Sequence, residues 1–262
     1  MQRGPVIRII RRSLIRVLAA LCLVAILISL CASYSVFVEP RWLKVRHVRL
    51  SDRPGLRVIH FSDLHFKGDT SYLKKVVATI NGLHADIVCF TGDLIEDARY
   101  LDEALGQLAE VNKPMFGVAG NHDLWEIRSF GKVEQAFQHT GGHWLTNTAV
   151  FVSARNVQLF PRWDVTAGNP EAAGSRQILL IHYPKAVKSI RNRRFDAILA
   201  GHTHGGQVQL PFVTRRLIPY DIELDKGLFR TPAGPLHVNP GVGTYHYSVR
   251  FFCRPEITVI EL

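Results

Sequence analysis

Residues 199–211 read LAGHTHGGQVQLP. The apolar run Ala197–Ala200 stops at Gly201, and His202 and His204 follow two positions apart with Gly205 and Gly206 behind them. Four apolar residues closed by glycine read as a short buried strand. Two imidazoles at its end, with side chains cleared away on both flanks, suit a metal ion or a phosphate drawn close to backbone; a packing histidine needs no such clearing. On an extended chain the two rings share one side.

The same punctuation recurs on both sides of this stretch. Leu56–Ser62 (LRVIHFS) ends in Asp63-Leu64-His65, Asp86–Thr91 (DIVCFT) in Gly92-Asp93, Pro114–Ala119 (PMFGVA) in Gly120-Asn121-His122-Asp123, and Gln177–Ile181 (QILLI) in His182. Between them, Tyr72–Leu83 carries Leu73, Val76, Val77, Ile80 and Leu83 at helical spacing, and Leu101–Val111 predicts a second amphipathic helix. Trp144–Phe160 reads as two strands about an Arg155-Asn156 turn, and Leu236–Asn239 and Ile257–Leu262 as closing strands. Alternating strands and helices predict a layered α/β domain, with function at the strand ends. One Asp after a strand is ordinarily a cap and one His a satisfied core residue. Five strands in succession, each ending in a metal-ligating type, make a joint metal site the better reading.

Carboxylate, carboxamide and imidazole without thiolate suit Mn²⁺, Fe, Zn²⁺ or Mg²⁺. Eight candidate groups are too many for one tetrahedral ion and reasonable for two ions sharing a carboxylate. Two ions about 3.5–4 Å apart can share one hydroxide and clamp a phosphoryl group for in-line attack.

The ordered blocks DLH (63–65), GD (92–93), GNHD (120–123), H (182) and GHTH (201–204) resemble the calcineurin-like metallophosphoesterase family, over residues 56–262. The resemblance implies a four-layer αββα sandwich of two mixed sheets with two divalent ions, Mn²⁺ foremost. It implies Asp63, His65 and His204 on one ion, Asn121, His182 and His202 on the other, and Asp93 bridging. His122 is then the group that donates to the phosphate or protonates the leaving oxygen, with Asp123 orienting its ring. The longer form GHTHGGQVQLP and the ending RFFCRPEITVIEL are similar to a bacterial branch of membrane-associated phosphodiesterases. A related branch includes the UDP-2,3-diacylglucosamine pyrophosphatase of lipid A synthesis.

The net charge of +10 is unevenly placed. Residues 1–57 hold eleven Lys/Arg against two Asp/Glu, so nine of the ten net charges lie there, and the rest of the chain is near neutral. That distribution removes the support for a nucleic-acid partner. Residues 17–38 carry no charge and would span roughly 33 Å as a helix, about one bilayer core. The run is long for a signal peptide and no small-x-small site closes it, so it is read as an uncleaved single-pass anchor in the inner membrane. Residues 1–16 form a basic tail and 39–55 a basic linker or edge strand. Arginines flank the span on both sides, so orientation stays open: Arg11-Arg12 resembles a twin-arginine export signal, while the second basic cluster suits a cytoplasmic lipid face. Cys22, Cys31, Cys89 and Cys253 form no C-x-x-C, and nothing calls for an obligate protein partner.

Substrate selection falls to the loops. Lys185, Lys188, Arg191, Arg193 and Arg194 predict a basic helix face after His182, and Arg215, Arg216 and Tyr220 a second anion-binding loop. Lys185, Arg215 and Arg216 are the candidates for substrate binding, against the alternative of a merely solvated face. Leu210, Phe212, Val213 and Leu217 either dock on the bilayer or cover the core. Expected, then, is an anchored phosphohydrolase acting on a phosphodiester or pyrophosphate in a lipid-linked substrate. The alternatives are lipid A pyrophosphatase activity specifically, and a non-catalytic tethered binding protein.

Overall fold

The computed structural model describes residues 4–52, 54–162, 174–210 and 222–262. Two six-stranded mixed sheets face each other. The first comprises β1 (Lys44–Arg49), β2 (Arg57–Phe61), β3 (Ile87–Phe90), β4 (Met115–Gly117), β5 (His143–Trp144) and β12 (Glu256–Glu261), in the order β1-β12-β2-β3-β4-β5. The second comprises β6 (Val150–Val152), β7 (Val157–Phe160), β8 (Arg176–Leu180), β9 (Ala197–Ala200), β10 (Gly227–Thr231) and β11 (Gly234–Val238), in the order β10-β11-β9-β8-β7-β6. In the first, β2, β3, β4 and β5 run parallel and β12 is antiparallel to β2; in the second, β7, β8, β9 and β11 run parallel. Parallel strands buried on both faces explain the unbroken apolar runs.

Three apolar layers hold the sandwich. Val58, Cys89 and Phe116 of the first sheet meet Leu159, Ile178 and Leu199 of the second between the sheets. Outside the first sheet, Ile59, Phe61, Val88 and Phe90 pack under α2 (Thr70–Gly82), α3 (Leu101–Leu108) and α5 (Gly131–His139). The α2 side chains Leu73, Val76, Val77 and Ile80 are the helical stripe expected from spacing, and the Asp69 carboxylate caps the helix by accepting from Tyr72 N at 3.2 Å. Truncating a ring such as Phe61 or Phe90, both fully buried, costs about 3–5 kcal/mol by the usual core penalty. Outside the second sheet the described cover is 3-10 turns, Pro184–Ser189 and Ile222–Leu224, which bring Val187, Ile190 and Leu224 onto Leu179, Ile198 and Leu236. The helix expected after His182 is therefore one of these turns, begun by Pro184.

The N-terminal helix α1 (Gly4–Ser33) continues through a π turn to Val38 and a 3-10 turn to Arg41. Arg8–Arg41 is long and apolar enough to cross a membrane, and Ile15, Leu21 and Ile28 are each more than half exposed. Its end is tied to the sandwich. Arg250 N donates to Ser35 O at 2.9 Å, Phe252 N and Cys253 N donate to the buried Glu39 carboxylate, and the Arg254 guanidinium lies 4.0 Å over the Trp42 ring. The following segment resolves the choice between linker and edge strand: β1 pairs in parallel with β12 from Lys44↔Glu256 to Arg49↔Glu261.

Candidate metal centre

The strand-end loops converge at one rim of the sandwich. Asp63 and His65 follow β2, Asp93 follows β3, Asn121 opens the short helix α4 (Asn121–Glu126) after β4, His182 follows β8, and His202 and His204 follow β9. Five of these seven (Asp63, His65, Asp93, His202 and His204) have φ between 40° and 71°, a left-handed backbone that costs non-glycine residues about 1–3 kcal/mol and persists only where the surroundings enforce it. His202 and His204 thus leave β9 on a coiled path, not the extended one expected. Coiling sends the two rings to opposite ends of the cluster. Gly201 is required here because a Cβ would overlap Ser62 Oγ and Asp63 Oδ2, and Gly92 because its φ is 96° and a Cβ would strike the Gly120 backbone.

At one end, His65 Nε2 lies 3.1 Å from His204 Nε2 and 3.3 Å from Asp93 Oδ2, with Asp63 Oδ1 3.5 Å from His204 Nε2. At the other, His182 Nε2 lies 3.1 Å from His202 Nδ1, 3.1 Å from Asn121 Oδ1 and 3.2 Å from the same Asp93 oxygen. Two groups of potential ligand atoms, Asp63/His65/Asp93/His204 and Asp93/His182/His202, each fall within 4.8 Å of one another. Backbone amides aim the carboxylates: His202 N donates to Asp63 and His122 N to Asp93 Oδ1, each at 2.9 Å. His65 Nδ1–H donates to Glu96 Oε2 at 2.7 Å and His182 Nδ1–H to Thr91 O at 2.8 Å, which aims each Nε2 into the cluster.

Electrostatics follow from this crowding. Burial opposes ionisation of Asp93, yet hydrogen bonds from His182 and His65 outweigh it and hold the carboxyl well below the usual range. Burial also works against charge on His65 and His182, but their bonds to Asp93 raise each to about 9. Their partners go the other way: burial and the charge of His182 lower His202 to about 4, and burial and the charge of His65 push His204 well down. Burial lifts Asp63 to about 6. Ring nitrogens facing each other around a shared, strongly acidic carboxylate form an O/N donor set that fits two divalent ions.

Above the cluster opens a cleft of about 440 Å³ lined by Asp93, Asn121, His122, His202, His204 and a rim of Trp125, Tyr183 and Tyr245. The half-buried His122 faces it, its ring centroid 4.6 Å from His65 and 5.3 Å from Tyr245. Asp123 does not orient that ring. Its carboxylate is fully buried and accepts from Asp93 N, Leu94 N and Gly120 N at 2.7–2.9 Å, so it locks two strand-end loops together. The carboxylate paired with the His122 ring is Glu96, 3.9 Å from its Nδ1, and it had no sequence signal beyond following the GD block by three positions. Lys185 is exposed on the 3-10 turn and does not line the cleft; Lys188 pairs with Glu223 at 3.0 Å, and Arg193 stacks 4.2 Å over Phe160. The expected basic face is dispersed because the 3-10 turn ends at Ser189, before Arg191, Arg193 and Arg194. Arg215, Arg216 and Tyr220, with Phe212, Val213 and Leu217, lie outside the described residues.

Residues 56–206 match the calcineurin-like phosphoesterase family. The chain is 29% identical over 256 residues to the uncharacterized metallophosphoesterase YkuE of Bacillus subtilis (87% of this chain, 88% of that one). It is 28% identical over 253 residues to the phosphodiesterase YaeI of Escherichia coli (87% and 92%), and 26% identical over 301 residues to the UDP-2,3-diacylglucosamine pyrophosphatase LpxG of Chlamydia muridarum (86% and 90%). The chain belongs to the calcineurin-like phosphoesterase family, and with it to the metal-dependent phosphohydrolases.

Proposed function

We propose that the protein is a membrane-anchored dinuclear phosphoesterase that hydrolyses a phosphodiester or pyrophosphate bond. Residues 17–38 are its anchor in the inner membrane, preceded by the basic tail 1–16, and residues 39–55, which supply β1 to the sandwich, join it to the catalytic domain 56–262. The observation that carries this reading is one carboxylate oxygen, Asp93 Oδ2, within 3.3 Å of ring nitrogens from both ends of the cluster. Asp63, His65 and His204 would hold one ion and Asn121, His182 and His202 the other, with Asp93 serving both; the donor set suits Mn²⁺. When bound, the two ions polarise phosphoryl oxygens and acidify water at neutral pH.

The chain's own residues do the rest. Asp63 and Asp93 are held by backbone amides before substrate arrives, so little reorganisation accompanies reaction. His122 faces the cleft mouth, where its ring is placed to protonate the leaving oxygen. Trp125, Tyr183 and Tyr245 give the entrance an aromatic rim.

A lipid-linked substrate is supported by the apolar span, and UDP-2,3-diacylglucosamine is a specific candidate through the similarity to LpxG. The test uses the full chain loaded with Mn²⁺, assayed on that lipid nucleotide and on an aryl phosphodiester, each with and without chelator. Chelator-sensitive turnover of either substrate is expected, and preference between them decides lipid A pyrophosphatase against a broader phosphodiesterase. Two bound metals without turnover of either would leave a non-catalytic binding protein.

A further inference from the structure

A second cavity, of about 320 Å³, lies beside the metal cleft and between it and the end of the apolar span. Its size falls within the roughly 300–1,000 Å³ of small-molecule sites. Val36 and Phe37, inside the span and largely exposed, form one end of its wall; Leu64, Phe66 and Leu73, buried in the domain, form the depth; His65 lines it too. His65 is also a member of the ligand cluster. The cavity therefore touches the span at one end and, at the other, backs onto His65, whose ring is itself fully buried.

Most of the polar side chains on its wall are already engaged; the Thr244 and Ser248 hydroxyls line it besides. Tyr72 donates its hydroxyl to Val242 O at 2.8 Å, Lys67 Nζ donates to His246 O at 3.1 Å, and Arg41 is paired with Asp69 at 2.7 Å. The His65 ring has its Nδ1 on Glu96 and its Nε2 in the cluster. What remains for a ligand is mostly carbon, so the cavity suits a hydrocarbon.

We propose that this cavity is an acyl-chain site, which holds one tail of a bilayer amphiphile while its phosphate occupies the metal cleft. The inference rests on the phosphoesterase reading and names the class of substrate: a phosphoester carrying at least one hydrocarbon chain, delivered from the lipid that surrounds Phe37. The physical need is plain. An amphiphile drawn up until its phosphate meets the cluster exposes part of its tail to water, at about 0.8 kcal/mol for each CH₂, unless an apolar wall receives it. A wall continuous with the span receives it without a gap.

Two measurements on the full chain in lipid nanodiscs test this. In the first, a phospholipid with a diazirine in its acyl chain is photolysed and the labelled peptides are mapped. Label is expected on residues 64–73 as well as along the span, and Ser248→Trp, an exposed wall position that would plug the cavity, removes the former and keeps the latter. In the second, alkyl p-nitrophenyl phosphates with chains of increasing length are turned over. kcat/KM is expected to rise up to about fourfold per methylene, the equivalent of one buried CH₂, and to lose that dependence in Ser248→Trp. Ala78→Trp, exposed on α2 away from either cavity wall, controls for a bulky surface ring. Label confined to the span, with kcat/KM independent of chain length, overturns the acyl-chain site while leaving the hydrolase intact. Failure of the hydrolase reading looks different, since no member of the series turns over despite bound metal, and the label alone then decides the site.

Discussion

Imidazoles meet nitrogen to nitrogen in two settings in this protein. Between the sheets, His60 on β2 and His237 on β11 bring their Nδ1 atoms to 2.9 Å, and Thr91 Oγ1 stands 2.9 Å from His60 Nε2. At the sandwich rim, His65 faces His204 and His182 faces His202, each at 3.1 Å. The inner pair makes no described hydrogen bond or ion pair with an acid, so burial drives both rings neutral: burial and then His237 push His60 well down, and burial and then Arg46 lower His237 to about 3. Each rim pair has Asp93, and one ring of each is held up near 9. The comparison teaches that facing histidines alone are packing. A shared carboxylate turns the same motif into a trap for positive charge.

Removing that carboxylate is the hardest break. Asp93→Asn makes the rim pairs like the inner one, and loss of both metals by elemental analysis, with abolished hydrolysis, is the expected result; a fully metallated active variant would refute the bridging role. His122→Ala spares every ligand, so metal content stays and kcat falls by about 10²–10⁴, as for a positioned proton donor. Glu96→Gln leaves the ring of His65 in place but weakens the acceptor that fixes its tautomer, and metal affinity or activity drops roughly 10–100-fold. Normal affinity in that variant would show that Glu96 does not orient His65.

The smallest effect sharpens the other side of the comparison. His60 and His237 are neutral in the fold and protonate near 6.5 once unfolded. The unfolded chain therefore binds more protons below that pH. Their stabilisation is complete above pH 6.5 and is lost as pH falls toward 3, by up to about 1.4 kcal/mol per pH unit for each ring. Chemical unfolding of the full chain in detergent at pH 7.5 and 5.5, followed by tryptophan fluorescence, should show a smaller acid loss for His237→Gln than for the parent. Equal losses would mean that the inner pair is not the acid-sensitive element.

What could be read beforehand was local. The apolar runs before Asp63, Asp93, Asn121, His182 and His202 are each a strand followed by a site residue, because a buried parallel strand is short, continuous and sharply ended. The α2 stripe was equally legible, and Asn156 sits at the expected turn with φ 48°. What escaped depends on partners distant in the chain. β1 becomes a strand only by lying along β12, more than two hundred residues away, and Asp123 reads as the natural partner of His122 until the loop after β3 brings two amides to it and Gly120 a third. α5 is short and its apolar positions, Val133 and Phe137, give too little periodicity to separate from loop.

The joint at Glu39 carries one more consequence. Its carboxylate takes two backbone amides of the 252–253 segment, while Arg250, also fully buried, spends its guanidinium on the carbonyls of Pro240, Gly241, Gly243 and Cys253. The helix is thereby fastened to the same segment that carries Tyr245 over the cleft. A head joined to its stalk in this way must break buried bonds before it can swivel. In the membrane-anchored enzyme proposed above, the stalk's tilt would set the height of the metal cleft over the lipid, and the search for substrate would become a sweep across a surface at constant altitude.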